Sequence, residues 1–295
     1  MKCLISPFVS VILVFVLQAQ QLVEKNFYST PTATNKLSEL IFKSTFAEIT
    51  FQSAINNNNP YTIKGVIDNQ KFETEFRQIE SNTKKTTILK IKNASYAKSK
   101  DPIKLLSNEM IDESKWLLFA SNKYVQRLEF NVAKGSLNLN LSELPVKTLK
   151  INSINASNSI QYHLGQLNKI DLDTVYIKNE MGNVTVKNFC NSRCKFLNCE
   201  LGFGKMFFHV GNDCQVSAMC KFKVGTGELV IELPDKRAPI KLIINRSVLS
   251  KVQIPENFIK IDKKTFQTPF FPENEKDNNP LIVEIDVSLG KVVIK

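Results

Sequence analysis

Near its C-terminus the chain writes one short pattern twice, as KVGTGELVIELP and as VSLGKVVIK. A glycine is followed by a polar residue and then by strict alternation of apolar and polar positions. The same shape recurs upstream at Gly135, Asn158, Gly182 and Gly204, and between the two opening examples at Ser250. Successive anchors, ending on Gly227, Ser250 and Gly290, lie 23, 24, 22, 23, 23 and 40 residues apart. A fixed period in this range marks a stacked-repeat architecture.

The alternation holds at every anchor. Two residues on stand Leu137, Ile160, Val184, Met206, Leu229, Val252 and Val292; four on stand Leu139, Tyr162, Val186, Phe208, Ile231, Ile254 and Ile294. The position between anchor and first apolar residue is always polar. Period-two alternation describes a strand with one buried face, and a common offset puts those faces in register. A second alternating run precedes the anchors and predicts inward side chains at Leu197, Cys199, Leu201 and Phe203, at Cys220, Phe222 and Val224, and at Val283, Ile285, Val287 and Leu289. Each unit thus reads strand, tight turn, strand, polar corner. The expected fold is all-β: a single-stranded parallel β-solenoid of 22–24-residue coils over residues 116–295, under a β-rich N-terminal cap over residues 21–115. A cap is needed because an open first coil exposes unpaired backbone groups. A β-sandwich also alternates, but rarely keeps so even a period with one glycine offset.

The N-terminus predicts the compartment. Lys2 precedes the short apolar run LISPFVSVILVFVL, which is followed by QAQQ with Ala19 as the cleavage residue. This is the layout of a secretory signal peptide over residues 1–20. The run is shorter than the ~20 residues of a spanning helix, and no second run is long enough to span in the mature chain. An exported chain (periplasmic, outer-surface or secreted) is expected. With a net charge of +11, its partners would be an envelope glycan, an anionic membrane surface or another envelope protein, not nucleic acid.

The repeats resemble those of the toast-rack β-strand-repeat family, adhesin-like bacterial envelope proteins related to the C-terminal domain of a cell-wall antibiotic-response regulator. The stretches that carry the resemblance are LEFNVAKGSLNLNLSEL, APIKLIINRSVLSKVQIPENF and LIVEIDVSLGKVVIK, with Trp116 in SKWLLF. It covers residues 116–295 and, more loosely, LSELIFKSTFAEITFQ. It implies an exported, non-enzymatic, β-helical module with no catalytic residues to carry over.

Little in the chain reads as chemistry, and no catalytic, cofactor or metal residue is assigned. After the leader the cysteines are Cys190, Cys194, Cys199, Cys214 and Cys220, spaced unlike a zinc site. The repeat register points Cys199 and Cys220 inward and puts the other three at polar corners. Cys190 and Cys214 are 24 residues apart, close to one coil, and an exported protein would bridge such a pair. His163 and His209 share an outward column two coils apart, too far to hold one ion. Asp171 and Asp173 share one strand face, the layout a β-helix lyase or glycosidase acting on acidic glycans would use. Arg193, Lys195 and Lys147 fall beside them on neighbouring coils, which favours a structural charge ladder. Phe207, Val230 and Val293 form an outward apolar column that binds a partner or a second copy, or lies under the cap or the Phe-rich insert. That insert carries Phe258, Phe266, Phe270 and Phe271; it reads as an aromatic flap over the core, with a binding loop as the other reading. The surface lysines look scattered along the sequence, as expected for protection of strand edges.

Overall fold

A computed structural model describes residues 22–31, 33, 36–54, 57–93, 114–212, 214, 216–234, 238–272 and 279–295. The expected leader and most of the stretch AKSKDPIKLLSNEMIDESKW lie outside these residues. The described chain is all-β, a single mixed sheet of 17 strands. In chain order they are β1 (Leu22–Tyr28), β2 (Leu37–Ala54), β3 (Tyr61–Asp68), β4 (Phe72–Glu80), β5 (Lys84–Asn93), β6 (Ser114–Ser121), β7 (Gln126–Asn140), β8 (Val146–Gln161) and β9 (Leu172–Lys187). A 3₁₀ turn (Phe189–Ser192) leads to β10 (Cys194–His209), β11 (Ala218–Glu232), β12 (Ile240–Arg246) and β13 (Lys251–Gln253). The last four are β14 (Ile259–Lys260), β15 (Thr265–Gln267), β16 (Leu281–Val287) and β17 (Lys291–Ile294).

Strands β7 to β11 pair in sequence order, each parallel to the next and in register along nearly its whole length. Only the five residues Leu141 to Pro145 separate β7 from β8. Five residues reach at most about 18 Å, whereas a straight strand as long as β7 would run about 50 Å. The pairing is possible because each long strand turns back on itself at its anchor. There the chain adopts positive φ at Gly135 (130°), Gly182 (108°) and Gly204 (132°). The bends stack so closely that a Cβ on Gly204 would lie 1.9 Å from the Gly182 carbonyl oxygen, and one on Gly290 2.5 Å from that of Gly227. The two opening stretches look alike because they are direct neighbours: Glu228 to Ile231 pair residue for residue with Lys291 to Ile294.

The inward columns fall where the alternation puts them. Leu137, Leu139, Val184, Val186, Met206, Phe208, Leu229, Ile231, Val292 and Ile294 are all buried. Three expectations need correcting. The second anchor is Ala156, in register with Gly135, and not Asn158. The two-residue slip preserves parity, so Asn158 itself points into the core. There its Nδ2 donates to Ser153 Oγ at 2.8 Å, and Ser153 in turn donates to Asn179 Oδ1 at 2.8 Å. Phe203 and Leu289 are exposed rather than buried, because the residue before each glycine stands on the outside of the bend. Finally, the layer holding Ser250 does not follow that of Gly227. The C-terminal pair β16–β17 stacks on β11, and β12–β13 lies beyond it.

The other end shows the same reversal. Strand β2, in the stretch expected to be a separate cap, is a layer of the stack and pairs in register with β7. Its outer edge takes β5 along its first half and β6 along its second. At both ends the outermost layer is then covered by antiparallel strands: β4 on β5 and β3 on β6, with β1 on β3, and β15 on β12 with β14 on β15. The Phe-rich insert supplies β14 and β15, and Phe258 and Phe266 pack against the core.

Gly204→Ala is expected to lower unfolding free energy by more than about 2 kcal/mol in a urea titration, since it combines positive φ with a backbone clash. Gly165→Ala is the control. That glycine also has positive φ (73°), but a Cβ there meets nothing within 4 Å. Its cost should stay near ~1 kcal/mol.

Candidate functional site

The acidic pair is built into the stack. Asp171 precedes β9 and Asp173 lies within it, while Arg193 and Lys195 stand one layer on. Arg193 Nη2 lies 2.6 Å and Lys195 Nζ 3.3 Å from Asp171; Lys195 also reaches Asp173 at 3.9 Å. Lys147 pairs with Asp173 at 3.5 Å, not with Asp171 as its sequence offset suggested. Partial burial pushes the Asp171 pKa up, but the Lys195 hydrogen bond and the Arg193 and Lys195 charges outweigh it and hold the carboxyl below its ordinary value. A general acid for glycoside cleavage needs the opposite shift.

Of the five described cysteines four are buried and Cys214 is half-buried. Cys190 and Cys214 approach to a Cα separation of 4.5 Å, within the span of a bridge. Cys190 and Cys194 were expected at polar corners and are instead buried, because the turn between β9 and β10 folds onto the core; Cys199 and Cys220 are buried as their parity indicates. Desolvation pushes the Cys194 thiol up to about 12 and raises Cys199 and Cys220 too, so all three are protonated and inert at neutral pH. Among the described residues no cluster of His, Cys, Asp and Glu could hold a metal ion. The two histidines do not share a column. His209 ends β10 and its Nδ1 accepts from the Asn188 backbone N–H at 3.3 Å, whereas His163 lies beyond β8, its Nε2 2.9 Å from Asn140 Nδ2. The anchor slip at Ala156 accounts for the difference.

Phe207, Val230 and Val293 are direct neighbours on successive layers, half-buried on the outer face after the bend. Phe270 and Phe271 do not join them. They follow β15, and Lys241 Nζ sits 4.5 Å over the Phe271 ring. Lys241 belongs to β12, before its bend. A further apolar column went unnoticed in the sequence: Phe196, Met219 and Ile282 are in register on the outer face before the bend.

The main surface feature that sequence reading missed is basic. Register brings Lys90, Lys43, Asn131, Asn152 and Lys178 into one row across five layers. With Lys92 and Glu180 they line a groove of about 580 Å³. Asn152 Nδ2 donates to Asn131 Oδ1 at 2.8 Å, fixing the floor between the cations. Lys90 and Lys178 each have a carboxylate partner, Glu75 at 3.3 Å and Glu180 at 3.4 Å, while Lys43 and Lys92 are exposed. The only sequence clue was parity: each lysine occupies an outward position of its strand.

A second polar strut lies on the same side of the stack. Glu39 accepts from Lys84 Nζ at 2.8 Å and Thr86 Oγ1 at 2.7 Å, and stands in register with Arg127. Burial works to raise its pKa, but the hydrogen bonds from Lys84 and Thr86 and the charges of Lys84 and Arg127 win, and the net shift is downward.

No protein-family model and no curated protein matches the sequence. Among solved structures, the chain is similar to a "putative cell adhesion protein" from Clostridium sporogenes at 13% identity and a TM-score of 0.45, covering 93% of this chain and 99% of that one. It is also similar to a "putative adhesin" from Bacteroides fragilis (7% identity, TM-score 0.30, covering 94% and 98%). A "putative adhesin" from Parabacteroides merdae gives 10% identity and a TM-score of 0.31, covering 93% and 96%. Likeness at these scores assigns no activity, and the functional reading rests on the residues of this chain.

A depressed carboxyl stabilises the fold above its unfolded pKa of about 4.3 and loses that contribution as pH falls through the folded value. Glu39→Gln should therefore cost about 1 kcal/mol at neutral pH. The gap between wild type and variant should close in thermal melts taken from about pH 5 to pH 3.

Proposed function

We propose that this chain is an exported, non-catalytic, adhesin-like β-solenoid of the bacterial cell envelope, of the toast-rack kind, and that it binds an acidic glycan. The short connections and in-register parallel layers support a single-stranded solenoid, because each layer is made by one continuous turn of chain or by a pair of short strands in its place. The observation that carries the binding reading is the basic groove. Its cations flank a two-asparagine floor, with Lys90 and Lys43 on adjacent strands about 4.8 Å apart and Lys178 three strands beyond Lys43, so that positive charge lines both ends of a groove long enough for several units of a polyanion. The Phe207–Val230–Val293 column is a secondary surface suited to an envelope protein. The alternative, a polysaccharide-active enzyme at Asp171 and Asp173, is disfavoured by carboxylates already neutralised by Arg193, Lys195 and Lys147.

Incubation of the purified protein with immobilised acidic polysaccharides, scored for retention and for cleavage in the same tubes, tests both readings. Retention without cleavage, reversed by salt and lost in the Lys43→Glu/Lys92→Glu variant, is the expected result. Asp171→Ala/Asp173→Ala should retain glycan like wild type and lose about 1 kcal/mol of stability. Cleavage abolished by that double variant would establish the enzyme instead.

A Cys190–Cys214 disulfide belongs to the same proposal, as a clamp between two successive corners. The chain from Gln21 on, denatured without reductant, should then show three titratable thiols among its five cysteines. Five thiols in protein recovered from an oxidising compartment would refute the bridge.

A further inference from the structure

The residues just before the bends form a largely apolar ridge that stands exposed among the described residues. From one layer to the next it runs Met181, Phe203, Thr226, Leu289 and Leu249, with Phe203 58%, Leu289 54% and Leu249 72% exposed. It ends at the turn Ser247–Ser250, where Val248 is 100% exposed. This turn is not loose. The Ser247 N–H donates to the Val287 carbonyl at 3.1 Å, and the Ser247 hydroxyl donates to the Ser288 carbonyl. The Leu249 N–H donates to Ser247 Oγ at 3.2 Å, and the Ser250 hydroxyl to the Ser247 carbonyl at 2.9 Å. These bonds hold Val248 and Leu249 in water, at the tip of a convex edge.

The strands that carry the tip hold charge of one sign. Arg246 and Lys251 bracket the tip, and the whole stretch from Ile240 to Ile254 contains Lys241, Arg246 and Lys251 with no Asp or Glu. On the neighbouring layers Lys205 and Lys291 hold Glu228 between them, and Lys223 stands beside Asp286. Within four residues of the bends of the last four layers, five cations (Lys205, Lys223, Arg246, Lys251, Lys291) face three carboxylates (Glu200, Glu228, Asp286).

We propose that this ridge docks the protein on an anionic lipid surface, with Val248 and Leu249 entering the boundary between headgroups and acyl chains and Arg246 and Lys251 remaining at the phosphates. A convex apolar tip ringed by cations is the shape and charge that such a boundary accommodates. A second copy of the chain fits poorly, because pairing two such tips would set Arg246 and Lys251 against their own counterparts. The proposal does not depend on the glycan reading: the basic groove is built from β2, β5 and β7–β9, and the ridge tip from β12–β13 and its neighbours.

The test is co-sedimentation of the chain from Gln21 on, which holds every described strand, with vesicles of phosphatidylcholine alone or of phosphatidylcholine with phosphatidylglycerol. Binding to the anionic vesicles only, weakened by salt, is expected. Val248→Asp/Leu249→Asp should weaken it by about tenfold or more, as should Arg246→Glu/Lys251→Glu. Leu164→Asp, at a site 83% exposed on another part of the surface, should leave it unchanged. Circular dichroism of each variant verifies the fold. No binding to anionic vesicles, equal binding to neutral ones, or a Val248/Leu249 variant that binds like wild type would overturn the proposal. So would self-association that this variant abolishes while lipid binding is absent. Loss of glycan retention in Lys43→Glu/Lys92→Glu with vesicle binding intact would separate this surface from the groove.

Discussion

The close approach of backbones at the bends sets everything else in the stack. At Gly135, Gly182 and Gly204 the chain turns with positive φ, and each missing Cβ lets the neighbouring carbonyl come within a distance no side chain permits. That contact locks register, because sliding one layer by a single residue would bring a Cβ against a carbonyl oxygen and send every inward side chain outward. Inside the stack, where a layer lacks glycine, alanine takes its place: Ala47 and Ala156 stand in the same column at the layers beside Gly135, and in the outermost layers serine does, Ser114 beside Ala47 and Ser250 beside Gly290. The hydrophobic columns supply the stabilising energy, but the bends decide which residues share it.

A stack held this way has a problem only at its ends, and both ends solve it alike. Counting outward from the middle of the stack in either direction along the chain, the layer next in sequence is placed outermost, its far edge is covered by antiparallel strands, and the segment beyond those strands fills the inner position. At the C-terminal end the difference between the two layers explains the order. Strands β16 and β17 bury Leu281, Val283, Ile285, Val287, Val292 and Ile294 and can pair on both edges. On the outer layer Val252 and Ile254 are only partly buried, and of its two strands β12 is the one that β15 covers. The weaker layer faces outward, where the insert with Phe258 and Phe266 completes its packing.

Much of this was legible in the sequence, and what was not has identifiable causes. Parity was readable at every anchor because burial alternates with period two whatever the register. For the same reason the slip from Ala156 to Asn158 left no trace: both positions have the same parity, and the buried polar triad of Ser153, Asn158 and Asn179 looks from sequence like ordinary turn residues. Phe203 and Leu289 were misplaced because alternation assumes a straight strand, and the chain bends one residue later. Layer order was invisible because Leu281–Ile294 and Ile240–Gln253 offer nearly the same pattern, and only edge coverage distinguishes them. The lysines of the groove looked scattered because Lys43, Lys90 and Lys178 are far apart in the chain and become neighbours only through the pairing of β5 with β2 and the order of β7 to β9.

The division of labour between columns follows from the same geometry. Inward positions are constrained by packing and bend positions by the carbonyl of the next layer, so neither can change without loss of stability. Outward positions carry no such constraint, and there the layers differ most: Lys, Asn, Asn and Lys along one row, Thr, Phe, Val and Val along another, Asp against Arg and Lys along a third. Variation confined to outward rows while inward rows stay uniform is what a scaffold needs if it is to present several surfaces on one framework. The ridge before the bends is the exception that supports the rule. By parity those positions belong to the core, and Phe46, at the N-terminal end, is buried there. Toward the C-terminal end the same column emerges as Phe203, Leu289 and Leu249, apolar residues released from packing by the bend and free to meet an apolar partner.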